Sequence, residues 1–137
     1  MTVADALAKK LLAIDGILDA IALGDDDLKK YPGVLVTTPL TKLEARSGSM
    51  ERWKATFPCV MVHDLRRSAR ETLKGMGTIV SRIRLAWWEG IDLGLAPLVA
   101  DSMVDNFTPE LFEITGQALP AYRFDAVVTI SMTGLRT

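Results

Sequence analysis

An α+β fold is predicted for this chain of 137 residues: a largely antiparallel, mixed β-sheet of about four strands, with two α-helices packed on one face. Three observations predict it. Apolar residues recur at three and four from Val3 to Ile21, the spacing of one helical stripe. Period-two alternation runs from Thr78 to Trp88 and again from Tyr122 to Met132, and a second helical stripe follows Pro97. Two amphipathic stripes need an apolar surface to bury them, and one face of an alternating sheet supplies it.

The first helix takes its stripe from Val3, Leu7, Leu11, Ile14, Leu18 and Ile21. Thr2 caps its start, Asp5 complements the positive end of its dipole, and Gly24 ends it. Gly16 lies inside it, at a cost of about 1 kcal/mol relative to Ala. Asp25 to Lys30 and Tyr31-Pro32-Gly33 make a turn into a short strand, Val34 to Val36. Residues 37–56, with Pro39, Gly48, two serines and interleaved charges, read as a long flexible loop anchored by Leu40, Leu43, Met50 and Trp53. Phe57 to Asp64 is a strand, Thr78 to Trp88 a longer one, and residues 65–77 the exposed tip of the hairpin between them. After a linker at Gly90 to Gly94, Pro97 opens the second helix, which carries Leu98, Val99, Met103, Val104 and Phe107 and ends between Asn106 and Pro109. Glu110 to Thr115 forms a short strand and Gly116 to Pro120 a turn. The closing strand places Phe124, Ala126, Val128, Ile130 and Met132 on one face.

The totals exclude whole classes. With 49% apolar residues and a net charge of -1, the chain is neither intrinsically disordered nor a phosphate-driven nucleic-acid binder. A single cysteine, Cys59, leaves no intrachain disulfide and no multi-cysteine zinc site, which fits a reducing compartment. No apolar run approaches the roughly 20 residues of a membrane span, and the amino end lacks the pattern of a signal peptide.

Chemistry is sparse. Cys59 and His63 would face the same side of a strand about 13 Å apart, too far for a nucleophile and its base. His63 and Asp64 point to opposite faces, and the chain has no second histidine. Asp25, Asp26 and Asp27 lack the alternating spacing of a calcium loop, and Gly75 and Gly77 precede a strand where a phosphate cradle precedes a helix. No catalytic, cofactor-binding or metal-ligating residue is therefore expected. The concentrated charge is basic: Arg66, Arg67 and Arg70 at the hairpin tip with Arg82 and Arg84 on its strand, partly offset by Asp64, Glu71 and Glu89. Acids gather at Asp25 to Asp27 and along the second helix. Trp87 and Trp88, adjacent on a strand, face opposite ways, so one is core and the other lies on the outer sheet face with Val80, Ala86 and Val127, where a large aromatic marks contact with another chain.

These elements together resemble a known family. The helix beginning Thr2-Val3-Ala4-Asp5-Ala6-Leu7, the strand Phe57-Pro58-Cys59-Val60-Met61-Val62 after a long loop, the strand through Ile83-Arg84-Leu85, the helix after Leu95-Ala96-Pro97 and the closing strand Arg123-Phe124-Asp125-Ala126-Val127-Val128 are similar to the tail terminator proteins of long-tailed bacteriophages. Related neck and tail-completion proteins share the layout. The resemblance spans most of the chain and consists of element order, size and a Phe-Pro strand start. It implies one α+β domain over residues 1–137, not an enzyme and without cofactor, which forms a homohexameric ring at the head-proximal end of the tail tube. Such a ring ends tube polymerisation and joins the tail to the head. Its partners are copies of itself, the tail tube protein and the head connector or stopper protein, with non-specific contact to passing DNA and none to a membrane; it is assembled in the host cytoplasm and ends in the virion. On that implication Arg66, Arg67 and Arg70 line the lumen or a rim with Arg82 and Arg84 beside them, the loop bearing Trp53 orders on tube subunits, and Trp88 packs against a neighbour. Two other classes fit the same residues: another phage connector or baseplate protein, and a small-ligand-binding α+β domain whose polar supply is His63, Asp64 and Tyr122.

Overall fold

The computed structural model describes residues 2–22, 28–63, 69–89, 93, 99–114 and 116–133. The fold is α+β with a mixed sheet, and the sheet has six strands where four were expected. In chain order the elements are α1 (Val3–Leu12), β1 (Asp19–Ala22), β2 (Gly33–Val36), β3 (Leu40–Ser47), β4 (Met50–Val62), α2 (Ala69–Glu89), β5 (Val99–Ile114) and β6 (Gln117–Thr133). The strand order is β1-β2-β4-β6-β5, with β3 paired to β4 on the same side as β2. Only β1 and β2 run parallel; every other pair is antiparallel.

Pro58 explains how β2 and β3 share one side of β4. Val36 pairs with Cys59 and Leu40 with Thr56, so Pro58 stands at the gap between the two short strands. A proline has no N–H to give a ladder. Here none is needed, and its carbonyl accepts both the backbone N–H (2.9 Å) and the hydroxyl (2.7 Å) of Thr37.

Alternation in the two long central strands builds the core. Ala55, Phe57, Cys59 and Met61 of β4 face the helices together with Phe124, Ala126 and Val128 of β6. Val34 and Val36 extend this layer, α1 covers it with Leu7 and Leu11, and α2 with Met76, Ile79, Ile83 and Trp87. The opposite sheet face has a buried apolar cluster at one end, where Leu28, Val60, Val62, Leu119 and Ala121 pack together.

Several expected elements are different in kind. Helix α1 stops at Leu12, capped by Ala13, although Ile14 and Ile17 stay in the core. Gly16, at φ +99°, turns the chain, and Asp19–Ala22 becomes a strand; Gly24 lies outside the described residues. The start is as expected: the Thr2 hydroxyl accepts the Asp5 N–H at 3.1 Å, and the Asp5 carboxylate accepts the Thr2 N–H at 3.4 Å. Hydrogen bonding to Thr2 also holds the Asp5 carboxyl below its ordinary value.

Residues 37–56 are not a flexible loop but the β3–β4 hairpin, closed at Gly48 and Ser49 with Gly48 at φ +59°. Thr78 to Trp88, expected as a strand, belongs to α2. Of the expected hairpin tip, residues 69–77 are the first turns of that helix, and residues 65–68 lie outside the described residues. Of the expected second helix, Val99 to Phe107 lie in β5 while Pro97 and Leu98 lie outside the described residues, and the break at Asn106 to Pro109 is a bulge in that strand, with Asn106 at φ 59°. The closing strand is present and begins earlier, at Gln117.

Two outcomes follow from this packing. Gly16→Ala should cost about 1–3 kcal/mol, because the positive φ strains any side chain and a Cβ would sit 3.1 Å from the Arg82 guanidinium and 3.3 Å from Ile79. Phe124→Ala should cost about 3–5 kcal/mol, the penalty for emptying a packed core site. Urea denaturation measures both.

Candidate interaction surfaces

Of the arginines that the sequence groups together, the structure sends Arg82 and Arg84 to different sides of one helix. Arg82 and Arg84 stand on α2, two residues apart, about 200° around the helix. Arg82 Nη1 donates to the Asp15 carbonyl at 2.9 Å and lies 3.7 Å from the Asp15 carboxylate, tying α2 to the turn after α1. Arg84 lies over the Phe107 ring at 5.1 Å, and Phe107 stacks on Phe124 at 5.1 Å. Both arginines are tethers between layers. Arg70 falls in the first turn of α2, some 18 Å along the helix from Arg82; Arg66 and Arg67 lie outside the described residues.

One tryptophan is core and one is exposed, but on a helix rather than a sheet. Trp87 is 5% exposed; its indole N–H donates to Ser102 Oγ at 3.1 Å, and the Lys10 ammonium lies 5.1 Å from its ring centre. Trp88, one helical step round, is 85% exposed. Leu85, three residues earlier and on the same side of α2, is 64% exposed. The pair forms an apolar patch on the solvent side of the helix layer, away from the outer sheet face to which Trp88 was expected to belong. Val80 and Ala86 also stand on α2 and pack against the core.

Trp53 lies on β4, half-buried, on the helix-side face opposite Leu43 of β3. Its indole N–H donates to Glu51 at 2.9 Å, and Glu51 pairs with Arg46 at 3.0 Å. This network stiffens the hairpin. All eight residues of β3 are exposed, so the hairpin stands clear of the helices.

The outer face of the sheet carries charges of separated sign that sequence reading missed. Lys42, Arg52 and Lys54 are exposed on β3 and β4; Asp101, Asp105 and Asp125 stand on β5 and β6. The signal was available, since the alternation of β4 extends back through Ala55, Trp53 and Glu51 on one face and Lys54 and Arg52 on the other.

The groups weighed for chemistry do not converge. Cys59 is fully buried, and burial pushes its thiol up to about 12, with the Asp125 carboxylate adding to the rise. His63 follows β4, its backbone N–H donating to Pro120 O at 2.9 Å. Tyr122 faces the helix side opposite Met61, and Asp64 lies outside the described residues, as do Asp25, Asp26 and Asp27. An open cleft of about 430 Å³ between α1 and β1 is lined by Asp5, Ala8, Lys9, Leu12 and β1. Asp5 is committed to the helix cap, and neither His63 nor Tyr122 reaches the cleft. Among the described residues no group of acids, histidine and cysteine could hold a metal, and no helix is long and apolar enough to cross a membrane. No protein-family model and no curated protein matches the chain.

A thiol raised from 9.0 to about 12 stays protonated in the folded protein, whereas the unfolded chain loses that proton near 9. The unfolded state then binds fewer protons, so stability falls as pH rises through this window. Urea midpoints at about pH 8 and about pH 10 should show a steeper alkaline loss for the native protein than for Cys59→Val.

Proposed function

We propose that this protein is a structural subunit of a long-tailed phage, assembling as a homohexameric ring that caps the head-proximal end of the tail tube. The ring stops tube polymerisation and presents the head connector with a joining surface. The observation that carries this reading is the Leu85 and Trp88 patch: a tryptophan 85% exposed beside a leucine 64% exposed on one side of a helix. Large side chains left in water at adjoining helical positions fit a contact with another protein chain, where a tryptophan anchor contributes about 2 kcal/mol or more. The projecting β3–β4 hairpin, exposed along all of β3, adds a second contact element suited to the tube subunits. The side-chain chemistry favours binding over catalysis, since the Cys59 thiol is buried and Arg82 and Arg84 are used in packing.

The expected particle is a hexamer by light scattering, and electron microscopy should find it on one end of isolated tail tubes. Trp88→Glu should weaken assembly by about thirtyfold or more, the equivalent of about 2 kcal/mol, with the thermal transition unchanged. Rings of full mass formed by the variant would remove Trp88 from the interface. Native protein bound along the tube sides or elsewhere on the tail would replace capping with another structural role.

A further inference from the structure

Two like-charged pairs face each other across strands on the outer sheet surface. Lys42 of β3 stands directly opposite Lys54 of β4, with Arg52 two residues along the same face. On the other side of the sheet, Asp105 of β5 stands directly opposite Asp125 of β6, bridged only by Asn106, whose side-chain amide donates to Asp125 at 3.0 Å and whose N–H donates to Asp105 at 2.8 Å. Like charges directly opposite on a sheet are destabilising, by up to about 1 kcal/mol per pair. Among the described residues, no ion pair neutralises either group; Arg123, two residues from Asp125, forms none with it.

The two groups are also in register. Lys42, Lys54, Thr129 and Asp101 form one cross-strand row, so the row is basic at the β3 edge and acidic at the β5 edge, about 14 Å away. The next row is Leu40, Thr56, Val127 and Met103, with Leu40 75% exposed and Met103 50% exposed at its ends. Each edge thus presents a charged residue beside an exposed apolar one, opposite in charge between the edges. Along β5 there are four acids, Asp101, Asp105, Glu110 and Glu113, and no Lys or Arg.

We infer that the occupant of this surface is a second copy of the chain, whose β3–β4 basic edge docks beside the β5–β6 acidic edge of the first. Lys42 and Lys54 then meet Asp101 and Asp105, and Leu40 meets Met103. The two edges are different patches of one surface, so the contact is heterologous and repeats around a ring rather than closing as a two-fold dimer. The inference rests on the self-assembly proposed above and adds a contact between sheet edges to the one at Leu85 and Trp88.

Charge reversal tests it. Lys42→Glu/Lys54→Glu and Asp101→Lys/Asp105→Lys, each folded by circular dichroism, should each associate at least about tenfold more weakly than the native chain. An equimolar mixture of the two should reassemble, because each variant offers the edge that the other needs, and the fourfold variant should assemble alone. Native association should also weaken in about 1 M salt, where the screening length falls to about 3 Å. Reversed variants that assemble like the native chain would overturn the pairing and leave the ring reading standing. A native chain monomeric at all concentrations would overturn both. A mixture of folded variants that stays dissociated would overturn the pairing.

Discussion

The structure depends on one pairing, the unbroken antiparallel register of β4 and β6 from Met50 opposite Thr133 to Val62 opposite Ala121. Thirteen consecutive partners fix which side chains face the helices, since a slip of one residue would turn Phe57, Cys59, Phe124 and Ala126 out to solvent. Both helices pack on the layer those residues form, and every other strand attaches to one of these two directly or through β2. Pro58 divides the free side of β4 into a half for β2 and a half for β3, so one residue that cannot donate sets where the projecting hairpin begins.

The sequence made the class of fold legible, but two of its elements were exchanged. Positions 79, 83 and 87 are four apart, and a spacing of four lies on one face in a strand and nearly on one face in a helix. Ile79, Ile83 and Trp87 therefore fit both periods. Met76 inside the stripe and Leu85 outside it favour the helix, against β-branched residues and tryptophans that favour a strand. The reverse exchange at Val99 to Phe107 has a different cause, because pairing with β6 overrides the weak helical stripe. With one helix gained and one lost, the helix number came out right while only the first stood where it was expected. The β3–β4 hairpin was invisible for a third reason. Strand β3, exposed on both faces, has no alternation to show, so only the Gly48-Ser49 turn and the backward extension of the β4 alternation marked the hairpin.

The candidate surfaces were legible to the extent that they depended on one residue at a time. Two adjacent tryptophans cannot both be buried on one amphipathic element, so the exposure of one of them followed from either reading of the segment, but not which one. The arginine cluster depended on the wrong element: a hairpin would gather Arg82 and Arg84 with the tip, whereas a helix sends them to opposite sides, where Asp15 and Phe107 hold them. The outer-face charges required strand pairing, which no local pattern contains. Lys42 and Lys54 are 12 positions apart in a segment read as loop, and Asp105 and Asp125 are 20 apart.

Near-neutral net charge has a structural counterpart in that separation. Sixteen basic and seventeen acidic residues could be interspersed to neutralise one another locally, which favours a solitary soluble surface. On the outer sheet face, Arg123 apart, the lysines and arginine of β3 and β4 and the aspartates of β5 and β6 are instead sorted by edge, at a cost in the isolated chain of up to about 1 kcal/mol for each like pair. Such a cost is consistent with a surface whose neutralisation comes from outside the chain. A purely basic face would attract any polyanion and a purely acidic one any polycation. A face with both signs at opposite edges discriminates in favour of a partner carrying the same polarity in the same register, and a second copy of the chain carries it by construction. The apolar patch of Leu85 and Trp88 lies on the other layer of the molecule, so the two contacts of a ring subunit do not compete for one surface.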